Sequence, residues 1–128
     1  MKDKYVLDST VWVEMERKNP SVLERVYPLI NRNEVCLVDL IAAELLRGTK
    51  TKKDYDILKE GFSVFTQLTT TWGTVAELAF QVGRKGFHPP LTDLYIAQCV
   101  IENRKTLITH DNHFKHIASV KFFDLIFF

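Results

Sequence analysis

Short apolar runs alternate along the chain with longer stretches in which apolar residues recur every three or four positions, so strand signals and helix signals take turns. Tyr5 to Leu7 is a short β-rich run that ends at Asp8. TVWVEMERK and PSVLERVYPLINRN then have helical spacing, broken at Asn19-Pro20. Val35 to Val38 predicts a buried strand. Asp39 is placed to cap the helix LIAAELLR, and Gly48 to stop it in the left-handed conformation. A charged helix is expected over about Lys52 to Phe65, then a β-like run QLTTT, then a helix over WGTVAELAFQVGRKG, with a break from Gly86 to Pro90. Ile96, Ala97, Val100 and Ile101 form a helical stripe within Thr92 to Lys105. The strand TLIT, the short segment DNHFKHIA and the apolar VKFFDLIFF, a final strand, complete the pattern.

This alternation predicts an α/β fold of three layers, α/β/α, with a central parallel sheet, right-handed crossovers and helices on both faces. With 128 residues, 46% of them hydrophobic, the chain fits one domain over residues 1–128 with a real core. There is no internal repeat or low-complexity tract.

Charge adds little, since a net +1 provides no whole-molecule field to steer a nucleic acid, and binding must be argued locally. Cys36 and Cys99 lie in apolar runs, VCLV and AQCVI, and are expected as buried free thiols. No apolar stretch is long enough to span a bilayer, and MKDKYVLD places an acid where a signal peptide would continue its apolar region. A soluble, cytoplasmic protein is expected.

The chemistry lies in four acids. Asp8 falls where the first strand feeds a helix, at the carboxyl end of a parallel strand, where open α/β sheets place their ligand sites. Asp111 stands just beyond TLIT in the same relation to a later strand. Glu44 follows Leu40 by four residues and Ile41 by three, which puts it on the apolar stripe of its helix. Asp93 shares a face with Ile96, Ala97 and Val100. Each acid has a structural alternative: helix capping for Asp8 and Asp111, dipole compensation for Asp93, pairing with Arg47 for Glu44. Four such acids in one small domain are hard to explain as independent caps, and like charges brought together need a cation.

A carboxylate cluster selects hard divalent ions, Mg²⁺ or Mn²⁺, and such a site generates hydroxide from water for in-line displacement at phosphorus. His88, His110, His113 and His116 have no zinc-site spacing, and His110 and His113 are expected at the surface or facing RNA.

DSTVWVE, AAELLRG, LTDLYIAQCV and LITHDNHF, in this order and spacing, resemble the motifs of PIN domains over essentially the whole chain, and most of all those of VapC toxins. The resemblance implies a Mg²⁺-dependent endoribonuclease, with Asp8, Glu44, Asp93 and Asp111 as metal-binding and catalytic acids and Thr10 and Thr109 as neighbouring hydroxyls. It also implies a homodimer and a VapB-like antitoxin that occupies the active-site groove. One departure is His113, two residues after Asp111, where a number of relatives carry an acid; it puts a second metal position in doubt.

For RNA contacts, Arg47, Lys50, Lys52 and Lys53 form the densest basic run and follow the Glu44 helix. A response-regulator receiver has similar length, but Asp54 sits in the polar KTKKDYD and not at the end of an apolar strand. A PIN-like scaffold that binds without cutting would be expected to have lost an acid, and all four remain.

Overall fold

The computed structural model describes residues 3–128; Met1 and Lys2, part of the charged start read above, lie outside the described residues. The elements run β1 (Tyr5–Leu7), α1 (Ser9–Glu16), α2 (Pro20–Asn31), β2 (Val35–Val38), α3 (Asp39–Arg47), α4 (Lys52–Phe62), β3 (Thr66–Leu68), α5 (Trp72–Arg84), α6 (Leu91–Asn103), β4 (Thr106–Thr109), α7 (His113–Val120) and β5 (Asp124–Phe127). All strand pairs are parallel, in the order β3-β2-β1-β4-β5. The expected α/β/α architecture with a central parallel sheet is what forms.

Alternation along the strands builds two cores. Val6 and Leu107 join a large cluster with side chains of α3, α5, α6 and α7, while Leu7 and Ile108 join a smaller one with Val11, Val22 and Val26 of α1 and α2. Each fully buried aliphatic side chain contributes about 1.5–3 kcal/mol, so both layers are needed to hold so short a sheet. Cys36 and Cys99 are buried free thiols, and burial pushes them up to about 11 and about 12.

The chain moves from β1 outward to β2 and β3, then returns to the other side of β1 for β4 and β5. The carboxyl ends of β1 and β4 therefore flank a topological switch point, where helices depart to opposite faces and leave a crevice.

Several boundaries depart from the pattern. Gly48 is not left-handed: its φ is −79°, and the Thr49 hydroxyl satisfies the Leu46 carbonyl at 2.7 Å, so no left-handed residue is required. Left-handed residues instead follow other helices: Lys18 after α1, Asn33 after α2, Gly86 after α5, and Arg104, at φ 55° and ψ 45°, after α6. Helix α4 stops at Phe62, short of Phe65, because Phe65 turns back to meet the edge of Trp12 at 5.5 Å. Asp39 is the first residue of α3, not its cap: its carboxylate takes the Leu40 N–H and the Tyr95 hydroxyl, each at 2.8 Å. Helix α6 is buried on every side from Leu94 to Val100, not on one stripe. Val120 still belongs to α7, so the last strand is shorter than VKFFDLIFF.

Candidate metal centre

Asp8 directly follows β1, is 4% exposed, and caps α1 through Oδ1, which accepts the Ser9 N–H at 2.8 Å. Its Oδ2 accepts the hydroxyls of Thr109 at 2.8 Å and Thr10 at 3.3 Å. One side chain thus caps α1 with one oxygen and ties the ends of β1 and β4 together with the other. Burial raises the Asp8 pKa above the usual carboxylate range; the three donors pull it down, and the Asp111 charge pushes it up.

Thr109 ends β4 and is fully buried. Its hydroxyl donates to Asp8 and accepts the Asp111 N–H at 2.9 Å, which fixes the hydroxyl's direction and ties the exit of β4 to the exit of β1. Asp111 in turn accepts the His113 N–H at 2.8 Å and so holds the first turn of α7. As with Asp8, the capping alternative and the site position coexist.

Asp93 lies in the first turn of α6, half-buried, with its N–H on the Pro90 carbonyl at 3.1 Å. Desolvation raises its pKa, a hydrogen bond from His113 lowers it, and the charges of Asp111 and Asp8 raise it.

Glu44 departs from the expectation of a buried acid. The covered face of α3 is Ile41 and Ala42, with Leu45 and Leu46 half-buried, while Ala43, Glu44 and Arg47 are exposed. The periodic stripe is rotated by about one residue from the one read in the sequence. Glu44 stands at the rim of the same crevice: partial desolvation raises its pKa, and the charges of Asp8 and Asp93 raise it further. It makes no ion pair with Arg47 among the described residues.

His113 is at the surface, as expected, but its neighbours were not foreseen. It is half exposed, yet its Nδ1 lies 3.0 Å from Asp93 Oδ2 and 3.3 Å from Asp111 Oδ1. Ligand atoms of Asp93, Asp111 and His113 all lie within 4.8 Å of one another. The only signal for this was its spacing two residues after Asp111. The donor set, carboxylate oxygens with one imidazole nitrogen, fits a divalent ion of hard to borderline character. His110 is exposed and contacts the Phe128 carbonyl, His116 stacks on Phe87 at 4.7 Å, and His88 lies against Gly83.

Arg47, Lys50, Lys52 and Lys53 are all exposed. Lys52 is engaged locally, by Asp56 and by the Tyr55 ring 5.0 Å away. A cleft of about 550 Å³ opens elsewhere: it begins at Thr10, beside Asp8, and runs past Asn19, Ser21, Arg25 and His110. Arg25 was invisible in sequence because α2 reads as an ordinary amphipathic helix. No helix of the described residues is long and apolar enough to cross a membrane.

Comparison with known proteins finds the PIN domain family model matching residues 5–120. No curated protein matches in sequence. Among solved structures, the chain is similar to one in VapBC2 from Rickettsia felis bound to a DNA fragment from their promoter (22% identity, 97% of this chain and 98% of that one, TM-score 0.77). It is also similar to one in DNA-bound VapBC from Salmonella typhimurium (20%, 99% and 98%, TM-score 0.78), and to one in VapBC-1 from nontypeable Haemophilus influenzae (19%, 95% and 96%, TM-score 0.76). At such identities the likeness is one of fold. Taken with the family model, which spans the chain from β1 through α7, the three-layer parallel architecture identifies the chain as a member of the PIN domain family.

Proposed function

We propose that this chain is a metal-dependent endoribonuclease that uses Mg²⁺ or Mn²⁺ and acts in the cytoplasm as the toxin of a VapBC-type pair. In this reading residues 1–128 form one nuclease domain, a homodimer is the working unit, and a VapB-like antitoxin restrains it. The observation that carries the proposal is the gathering of Asp8, Asp93, Asp111 and Glu44 around one crevice at the switch point of a PIN-family sheet. The VapBC complexes among its structural neighbours support the choice of toxin and partner.

Asp8, Asp93 and Asp111 would hold the ion, with Glu44 at the rim binding it directly or through water. Bound there, a divalent ion would activate water for attack at neutral pH and offset charge developing on the phosphate. The protein's own part is positioning. Thr109 and Thr10 hold Asp8 Oδ2 in place, leaving little reorganisation for the moment of reaction. Hydrolysis forms a bond from water oxygen to phosphorus as an ester oxygen leaves and takes up a proton. Arg25 in the cleft beside Thr10, with Arg47, Lys50 and Lys53 beyond Glu44, is available to RNA phosphates on either side of the crevice.

The test is cleavage of single-stranded or loop RNA by the purified chain. Cutting is expected with Mg²⁺ or Mn²⁺, with loss of most activity in excess EDTA and in Asp8→Asn, a substitution that removes a charge without changing volume. Unchanged cleavage in EDTA would overturn the metal mechanism.

A further inference from the structure

We infer that His113 is itself a metal ligand, which gives this chain a mixed nitrogen and oxygen shell and a preference for Mn²⁺ and other later divalent ions over Mg²⁺. The inference rests on the proposed metal site and concerns its composition.

Geometry is the first support. In an octahedral shell with bonds of about 2.1 Å, neighbouring donors stand about 3 Å apart. His113 Nδ1 stands 3.0 Å from one Asp93 oxygen and 3.3 Å from one Asp111 oxygen. One N–H cannot point along both directions, whereas one ion seated among three donors serves all of them. The second support is the tether. The His113 N–H is held by Asp111 Oδ1 at 2.8 Å, on the first residue of α7, so an Asp111 that binds an ion carries the imidazole toward it. The third is that the ligand atoms of His113, of Asp93 on α6 and of Asp111 in the loop after β4 converge from different elements to within 4.8 Å of one another.

The consequence is chemical. Mg²⁺ demands oxygen donors and dehydrates reluctantly, while imidazole suits transition ions, so a nitrogen in the shell weakens the claim of Mg²⁺ relative to Mn²⁺.

The experiment uses the full-length chain stripped of metal, at one neutral pH, with Mn²⁺ and Mg²⁺ as the probes. Mn²⁺ binding is read by electron paramagnetic resonance, with pulsed detection of nitrogen coupling, and both affinities by calorimetry. Wild type is expected to show coupling to a directly bound nitrogen. In His113→Asp and His113→Gln, both at an exposed position that the fold tolerates, the coupling is expected to vanish. The affinity ratio of Mn²⁺ to Mg²⁺ should fall by about tenfold or more in His113→Asp, in which a carboxylate replaces the nitrogen. Bound Mn²⁺ without nitrogen coupling in wild type, or coupling that persists in both variants, would overturn the inference and leave the carboxylate site standing. Failure of Mn²⁺ to bind at all would remove the site and the inference together.

Discussion

Asp8, Glu44 and Asp93 share one electrostatic problem: each is raised above its ordinary value, 3.8 for the aspartates and 4.5 for the glutamate, with burial as the leading cause and neighbouring acids adding to it. A carboxyl raised in the folded state favours the protonated form there. The stability it contributes is present below the ordinary value and is lost as pH rises through the raised one. Metal-free protein is therefore expected to lose stability as pH climbs from about 4 through the weakly acidic range, and Mg²⁺ to flatten that loss. Glu34 and the exposed Glu102, held low by Arg32 and by Gln98 and Thr70, act in the opposite sense but weakly. Denaturation midpoints measured against pH, without divalent ions, check this for wild type and Asp93→Asn. The same slope in both would contradict it. At this scale three acids were legible because strand ends and a first helical turn locate them. The orientation of Glu44 and the role of His113 were not, since both depend on how α3 and α7 sit against the sheet.

Helix α6 links elements far apart in sequence. The buried Tyr95 hydroxyl donates to Asp39 at the start of α3 and accepts the Thr70 N–H at 3.3 Å beyond β3. This network fixes α3, which carries Glu44, against α6, which carries Asp93. Tyr95→Phe leaves those partners unmatched and is expected to cost about 1–3 kcal/mol while metal affinity falls less than for loss of an acid. Chemical denaturation beside a Mn²⁺ titration checks this, and unchanged stability would contradict it. Element types and order were readable because the periods of strand and helix differ sharply. Helix ends were less so, because Thr49, Phe65 and Arg104 settle them through local hydrogen bonds and packing that no single residue type announces.

For the whole molecule, strand order matters more than net charge. Because β1 lies between β2 and β4, Asp8 and Asp111 emerge beside one another although about a hundred residues separate them, as the Thr109 bond to Asp8 records. A site assembled in this way, if it cuts cellular RNA, predicts that the chain expressed alone in a bacterium arrests growth and that Asp8→Asn does not. Colony counts after induction check it, and equal arrest by both would point away from the crevice. The central claim, that these carboxylates form one metal site, is tested most directly by melting temperature. Wild type and Asp93→Asn would each be measured in EDTA and again in millimolar Mg²⁺. Repulsion among the acids predicts a variant at least as stable as wild type in EDTA, with a smaller gain on adding the ion. If Asp93→Asn instead melted well below wild type in EDTA and gained equally from Mg²⁺, Asp93 would be a structural residue of α6 and not a ligand.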